Sequence, residues 1–176
     1  LFDQLKNIRS KVSIPLIIMG YFNPILPYGV KSFCEKCSEI GIDGLIIPDL
    51  PINYFETNYK SIFKDNGLHN MFLIAPQTSQ ERIRYIDKIS NGFIYMVSSS
   101  SVTGSKNSFD SNQLAYFSDI KKMNLSSKRI IGFGVGNKET FNVAVQYSKG
   151  AIIGSAFIKH LKLKGINSID EFIKSI

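Results

Sequence analysis

Two short apolar runs near the end of the chain, Ile130-Ile131 and Ala151-Ile152-Ile153, are each followed by glycine. Gly132, Gly134 and Gly136 come after the first, and Gly154-Ser155 after the second. Short, β-branched runs bounded by glycine suit strands buried on both faces of a parallel sheet. Glycines at the ends of two neighbouring strands present backbone N–H groups with no Cβ in the way, which is a means of holding phosphate. Any one of them alone reads better as a tight turn. As a pair they favour an anion, because strand-end loops late in a (β/α)8 barrel commonly carry a phosphate site.

Other residues that could do chemistry at strand ends are Tyr21 and Asn23, Asp49, Gln77, Tyr95 and Thr103-Gly104. Asp49 is the one carboxylate in this set. Set in the segment IIPDLP, it reads equally as a general base or as a turn residue. Tyr95, in the middle of an apolar strand, reads as a core aromatic before a proton donor. Glu35, Glu39, Glu56, Glu81 and Glu139 fall on helices, where a solvated face is the plain account. Cys34 and Cys37 form a CxxC, but Phe33, Cys34, Cys37 and Ile40 share one helical face. A redox pair needs its first thiol at a helix N-terminus, so buried core residues are expected instead. His69 and His160 are isolated, and neither a Ser/His/Asp arrangement nor a metal-ligand cluster emerges.

The elements that would position these residues repeat along the chain. Pro15 to Met19, Gly44 to Ile47, Met71 to Ile74, Gly92 to Val97, and the two runs already described read as six strands. Helices are expected between them, marked by Phe33, Cys34 and Cys37, then by Phe55, Tyr59, Ile62 and Phe63. The next are marked by Ile83, Ile86 and Ile89, opened by a Thr78/Glu81 capping box, and by Leu114, Phe117 and Ile120. Asn137 has the preferences of an N-cap and opens a helix with Phe141, Ala144 and Val145 on one face; Ser168 with Glu171 caps the last. The polar stretch from Ser98 to Ser111 is long for a βα loop, which predicts a functional or mobile lid. GxGxxG is absent after the first strand, so a barrel is preferred to an open doubly wound sheet.

With 176 residues, 44% hydrophobic and 20% charged, the chain suits one globular domain, residues 1–176, yet falls short of a closed eight-unit barrel of roughly 250 residues. It opens on Leu1, and two βα units are expected to precede it. The net charge of +7 suits an anionic ligand. Its Lys and Arg residues are scattered, so no nucleic-acid partner is expected. No apolar run approaches a membrane span or signal peptide, which makes the cytoplasm the expected location.

Taken in order, IPLIIMGYFNPILPYG, GIDGLIIPDLP, FLIAPQTSQERI, GFIYMVSSSSVTG, IIGFGVGNKETF and GAIIGSAFI closely resemble the tryptophan synthase α-subunit family from its third strand to its eighth. That resemblance implies an α/β fold, a (β/α)8 TIM barrel with strands three to eight present. It implies a lyase of tryptophan biosynthesis that cleaves indole-3-glycerol phosphate to indole and glyceraldehyde 3-phosphate by a retro-aldol reaction. No cofactor is implied in this subunit; the β subunit, its partner in an α2β2 heterotetramer, carries pyridoxal phosphate. Gly104, Phe133, Gly134, Gly154 and Ser155 match the family's phosphate-contacting positions. Ile18, Tyr21 and Ile47 match the indole wall, Tyr95 the pocket tyrosine and Thr103 the closing loop, where Ser101 replaces a common glycine. Asp49 falls at the pocket rim and Asn23-Pro24 on the side turned to the partner. The family's catalytic Glu and Asp belong to a strand and loop expected before Leu1, so no catalytic residue is assigned here and the chain alone is expected to be inactive. Two further readings stay open: a non-catalytic partial barrel that binds phosphate or the β subunit, and another sugar-phosphate aldolase or epimerase.

Overall fold

The computed structural model describes residues 1–98 and 108–176. Ser101, Thr103 and Gly104, and most of the expected lid, lie outside the described residues. Contacts divide the chain into two compact units, Leu1–Phe72 with Ser90–Gly92, and Leu73–Ile89 with Phe93–Ile176.

The first unit begins with a short helix α1 (Phe2–Leu5) and a 3-10 turn before strand β1 (Ile17–Met19). Helices α2 (Phe22–Tyr28) and α3 (Val30–Glu39) follow, then β2 (Gly44–Ile46), α4 (Ile52–Asn58), α5 (Lys60–Asp65) and β3 (His69–Met71). The three strands pair in parallel in the order β1-β2-β3, with Ile18 opposite Leu45 and Leu45 opposite Asn70. Helix α3 turns Phe33, Cys34, Cys37 and Ile40 into the core, as its periodicity predicts. Burial pushes both thiols up to about 12, so they stay protonated and unreactive, as packing residues should.

Two local expectations for this unit need correction. Helix α2 is an addition: it forms although it holds Pro24 and Pro27, and it ends at Gly29, whose φ of +88° few residues other than glycine adopt. Pro24 falls in the first turn, where an N–H has no intrahelical partner to lose. The helix expected through Phe55 and Phe63 is two, broken at Tyr59 (φ −127°), whose ring packs on Phe22 and Tyr54. Strand β1 ends its sheet, and Ile17 and Met19 on it are exposed.

The second unit runs β4 (Leu73–Ile74), α6 (Gln80–Ile89), β5 (Phe93–Val97), α7 (Ser111–Lys122), β6 (Lys128–Gly132), α8 (Lys138–Tyr147) and β7 (Ala151–Ile152). Helices α9 (Ser155–Lys164) and α10 (Ile169–Ser175) close it. Its strands are again all parallel, in chain order β4-β5-β6-β7. The single strand expected from Met71 to Ile74 is therefore β3 and β4, interrupted at Phe72. Ile83 and Ile86 of α6, Ile94 and Met96 of β5, Phe117 of α7 and Ile131 of β6 are almost fully buried. Each such side chain contributes about 1.5–3 kcal/mol of transfer free energy.

Helix starts in this unit show how local signals compete. Asn137 caps α8 as expected, its side chain accepting from the Thr140 N–H at 2.8 Å while Thr140 Oγ1 reaches back to the Asn137 N–H at 3.2 Å. The face of α8 that is buried holds Thr140 and Ala144, with Val145 exposed. Thr78 does not cap α6: its hydroxyl accepts from the Ala75 N–H at 2.9 Å, closing a turn, and Ser79 faces the Arg82 N–H instead. Nor does Ser168 box with Glu171. The Ser168 hydroxyl donates to the Gly165 carbonyl, and Glu171 is drawn away by Lys164.

Candidate active site

In the first unit, β1 and β2 run side by side and their C-terminal loops are joined by Asp49. The Gly20 N–H continues the ladder onto the Ile46 carbonyl at 3.1 Å. Both carboxylate oxygens of Asp49 accept from the Phe22 N–H, at 2.8 and 3.1 Å, at the first position of α2. An anion there meets unpaired N–H groups and the positive end of the helix. Asp49 is thus a loop-fixing residue in this structure, its charge spent on α2. Ile47 is buried beside it and Ile18 is half-buried, whereas Tyr21, the N-cap of α2, is 70% exposed.

In the second unit, register sets the two glycine-bearing strand ends together. Gly132 of β6 pairs with Ile152 of β7, and Gly134 and Gly154 each lie two residues beyond that pair. Phe133 and Gly134 both have positive φ, +64° and +75°. Consecutive left-handed residues bend the chain into a tight turn; for Gly134 this costs little, but for Phe133 it is an uncommon conformation for a bulky residue. What holds it is visible. The Phe133 ring stacks on Tyr95 at 5.8 Å between centroids, 9° from parallel, and the Ser98 hydroxyl donates to the Phe133 carbonyl at 2.7 Å. Tyr95 is buried, its ring lying where a side chain on Gly132 would go. Burial pushes its phenol up to about 12, so it keeps its proton at neutral pH and can act as a donor but not as a base.

Gly154 forms the N-cap of α9, and a Cβ built on it would meet nothing within 4 Å. A surface cavity of about 550 Å³ opens there, lined by Gly154, Ser155, Ile158, Lys159 and Lys162. The two lysines were not among the candidates read from the sequence. Their spacing from Ser155, at four and seven positions along α9, is the helical period that could have found them. Among the described residues, no cluster of three His, Cys, Asp or Glu side chains could hold a metal ion, and no helix is long and apolar enough to cross a membrane. The candidate residues thus divide between the units: Ile18, Tyr21, Ile47 and Asp49 in the first, and Tyr95, Phe133, Gly134, Gly154 and Ser155 in the second.

Comparison with known proteins sets this geometry in a family. The family described as tryptophan synthase alpha chain matches residues 1–174. The chain belongs to the tryptophan synthase alpha chain family. The tryptophan synthase alpha chain of Flavobacterium psychrophilum is 65% identical over the whole of this chain, and that of Flavobacterium johnsoniae 64%; in each case the chain spans 70% of the relative's length. Among solved structures, the tryptophan synthase A-subunit of Pyrococcus furiosus superposes with a TM-score of 0.82 at 29% identity, covering 99% of this chain and 69% of that one. A tryptophan synthase complex from the same organism gives 0.81 at 28% identity, with the same coverage. The fold class follows as α/β, the consecutive parallel strands and helices of part of a (β/α)8 TIM barrel. Membership assigns the chain to tryptophan biosynthesis, in a family whose full-length members are enzymes of lyase type.

Proposed function

We propose that the chain supplies the substrate-holding part of an enzyme that cleaves indole-3-glycerol phosphate to indole and glyceraldehyde 3-phosphate. The observation that carries this reading is the pair of strand ends in register, Phe133-Gly134 and Gly154-Ser155, with an open cavity before the second. Backbone N–H groups there, with the N-terminus of α9, suit the phosphate. Ile18, Ile47 and Tyr21 keep the indole-wall role that the family resemblance gives them, and Tyr95 that of the pocket tyrosine. Thr103 and Gly104 keep the roles that the family resemblance gives them, in loop closure and phosphate contact.

The reaction is a retro-aldol cleavage. A base takes the proton from the glycerol hydroxyl next to indole, the carbon–carbon bond to indole C3 breaks, and the electrons are accepted by a ring already protonated at C3. An acid and a base at two separate atoms are therefore needed. Asp49 is committed to the Phe22 N–H and Tyr95 cannot be a base at neutral pH, so neither of these two candidates supplies the base. No cofactor takes part in this half of the chemistry. Indole would pass to a β subunit carrying pyridoxal phosphate, in an α2β2 assembly in the cytoplasm.

Gly154→Val tests the reading, because the open space before Gly154 lets a side chain enter without meeting the core. Glycerol 3-phosphate should bind the variant more than tenfold more weakly in calorimetry, or about 1.4 kcal/mol. Equal affinity in a folded variant would overturn the phosphate assignment.

A further inference from the structure

Ser98 ends β5 with an unusual concentration of bonds to the turn after β6. Its N–H donates to the Gly132 carbonyl at 3.1 Å, and its hydroxyl to the next carbonyl, that of Phe133, at 2.7 Å. Its own carbonyl accepts from Gln113 Nε2 at 3.1 Å, a bond buried on both sides. Gln113 is in turn fixed at the start of α7, where it forms a capping box with Asp110. Ser98 itself is 1% exposed. A Cβ built on Gly134 would lie 3.5 Å from the Ser98 oxygen and equally far from the ring of Phe109. Ser98 and Phe109, near the two described ends of the β5–α7 connection, therefore lie at or beside the Phe133-Gly134 turn.

This matters because a peptide unit is planar and trans, so its C=O and the following N–H point in opposite directions. Fixing the Phe133 carbonyl toward Ser98 fixes the Gly134 N–H away from it. The Tyr95 stack fixes the Phe133 ring rather than its carbonyl, and Gly134 tolerates several backbone conformations, so the Ser98 bond is what sets the direction of that peptide. A donor aimed in advance binds an anion without the cost of reorienting it.

We propose that Ser98 is a positioning residue for the anion site: its hydroxyl, braced by Gln113, sets the direction in which the Gly134 N–H is offered to the phosphate of the substrate. This inference rests on the phosphate reading given above. Ser98 does not touch the ligand, and its effect is exerted through the Phe133–Gly134 peptide.

The test compares the 176-residue chain with Ser98→Ala and Ser98→Thr, using glycerol 3-phosphate in calorimetry and following the Gly134 amide resonance by NMR. Ser98→Ala should bind about fivefold more weakly, the scale of one hydrogen bond, with the ligand-induced shift of the Gly134 amide reduced. Ser98→Thr, which keeps the hydroxyl, should recover both. The Gly134 shift distinguishes positioning from a general loss of stability, which would move amides throughout β5 and β6 alike. Should Ser98→Ala fail to fold, Gln113→Ala leaves the hydroxyl in place but unbraced, and should weaken binding in the same direction. Unchanged affinity and an unchanged Gly134 shift in a folded Ser98→Ala or Gln113→Ala chain would overturn the inference and leave the phosphate reading standing. Failure of the parent chain to bind glycerol 3-phosphate would overturn both.

Discussion

A Cβ on Gly132 would overlap the ring of Tyr95, a residue on the neighbouring strand β5 that is itself buried and stacked on Phe133. The ring cannot withdraw without giving up the stack that holds the Phe133 turn. Gly132→Ala should therefore lower stability by about 1–3 kcal/mol, measured as a fall in the urea midpoint. Adding Tyr95→Leu, which vacates part of the ring's space, should make the two effects non-additive, whereas independent sites would simply add. Acid sensitivity also belongs to single residues. A backbone hydrogen bond from Leu16, followed by the pairing with Arg9, holds the Asp43 carboxyl below the usual range. Burial pushes Asp87 up, but bonds from the Ser127 and Ser126 N–H groups outweigh it and hold that carboxyl low as well. A carboxyl depressed in the folded state stabilises the fold above its unfolded pKa of about 3.9, and that contribution is lost as pH falls through the folded value. The chain should lose stability from about pH 4 downward. Asp87→Ala should start less stable at pH 7 and fall less on acidification; parallel declines in the two chains would refute the assignment.

At the scale of elements, the capping box of α8 connects the β6 turn to the helix behind it. Thr140, fully buried, accepts from both the Gly136 and Asn137 N–H groups, so the last glycine of the turn is tied to the helix start. Asn137→Ala should cost about 1 kcal/mol, the usual loss of an N-cap, in chemical denaturation. This cap was legible in the sequence because its partners lie within three residues. The same signal misled at Thr78 and Ser168, where an equally local competitor, the Ala75 N–H or the Gly165 carbonyl, took the hydroxyl first. Among the described residues, apolar runs located six of the seven strands, since a parallel strand is apolar wherever it is covered; β3, His69-Asn70-Met71, was met only at its last residue. The runs did not reveal the interruption at Phe72, because that depends on which strands are neighbours. Asp49 stayed ambiguous for a related reason: its partner, the Phe22 N–H, lies 27 residues away, a pairing no local pattern specifies.

For the whole molecule, the open edge of β1 is the feature most open to test. Ile17 and Met19 are exposed on a strand with one neighbour, and an unpaired apolar edge is a template for pairing with another chain. The 176-residue chain should self-associate at micromolar concentration, and Met19→Lys should reduce this in sedimentation velocity without lowering the melting temperature. Association undiminished by the charge would move the contact elsewhere.

The division into two units has a consequence for anyone cutting the chain. The path does not cross from the first unit to the second once: it leaves after Phe72, returns for Ser90–Gly92, and leaves again. That brief return is not idle, because the Asn91 side chain accepts from the Asn70 N–H of β3, and Gly92 lies against Met71. A gene truncated after the codon for Phe72 would encode β3 without the partner of its central amide. A gene ending after Gly92 would restore it. Of two such pieces, 1–92 should show the better dispersed amide spectrum, and equal dispersion would mean that the returning tripeptide is dispensable. A cut that keeps the returning tripeptide therefore falls twenty residues downstream of Phe72.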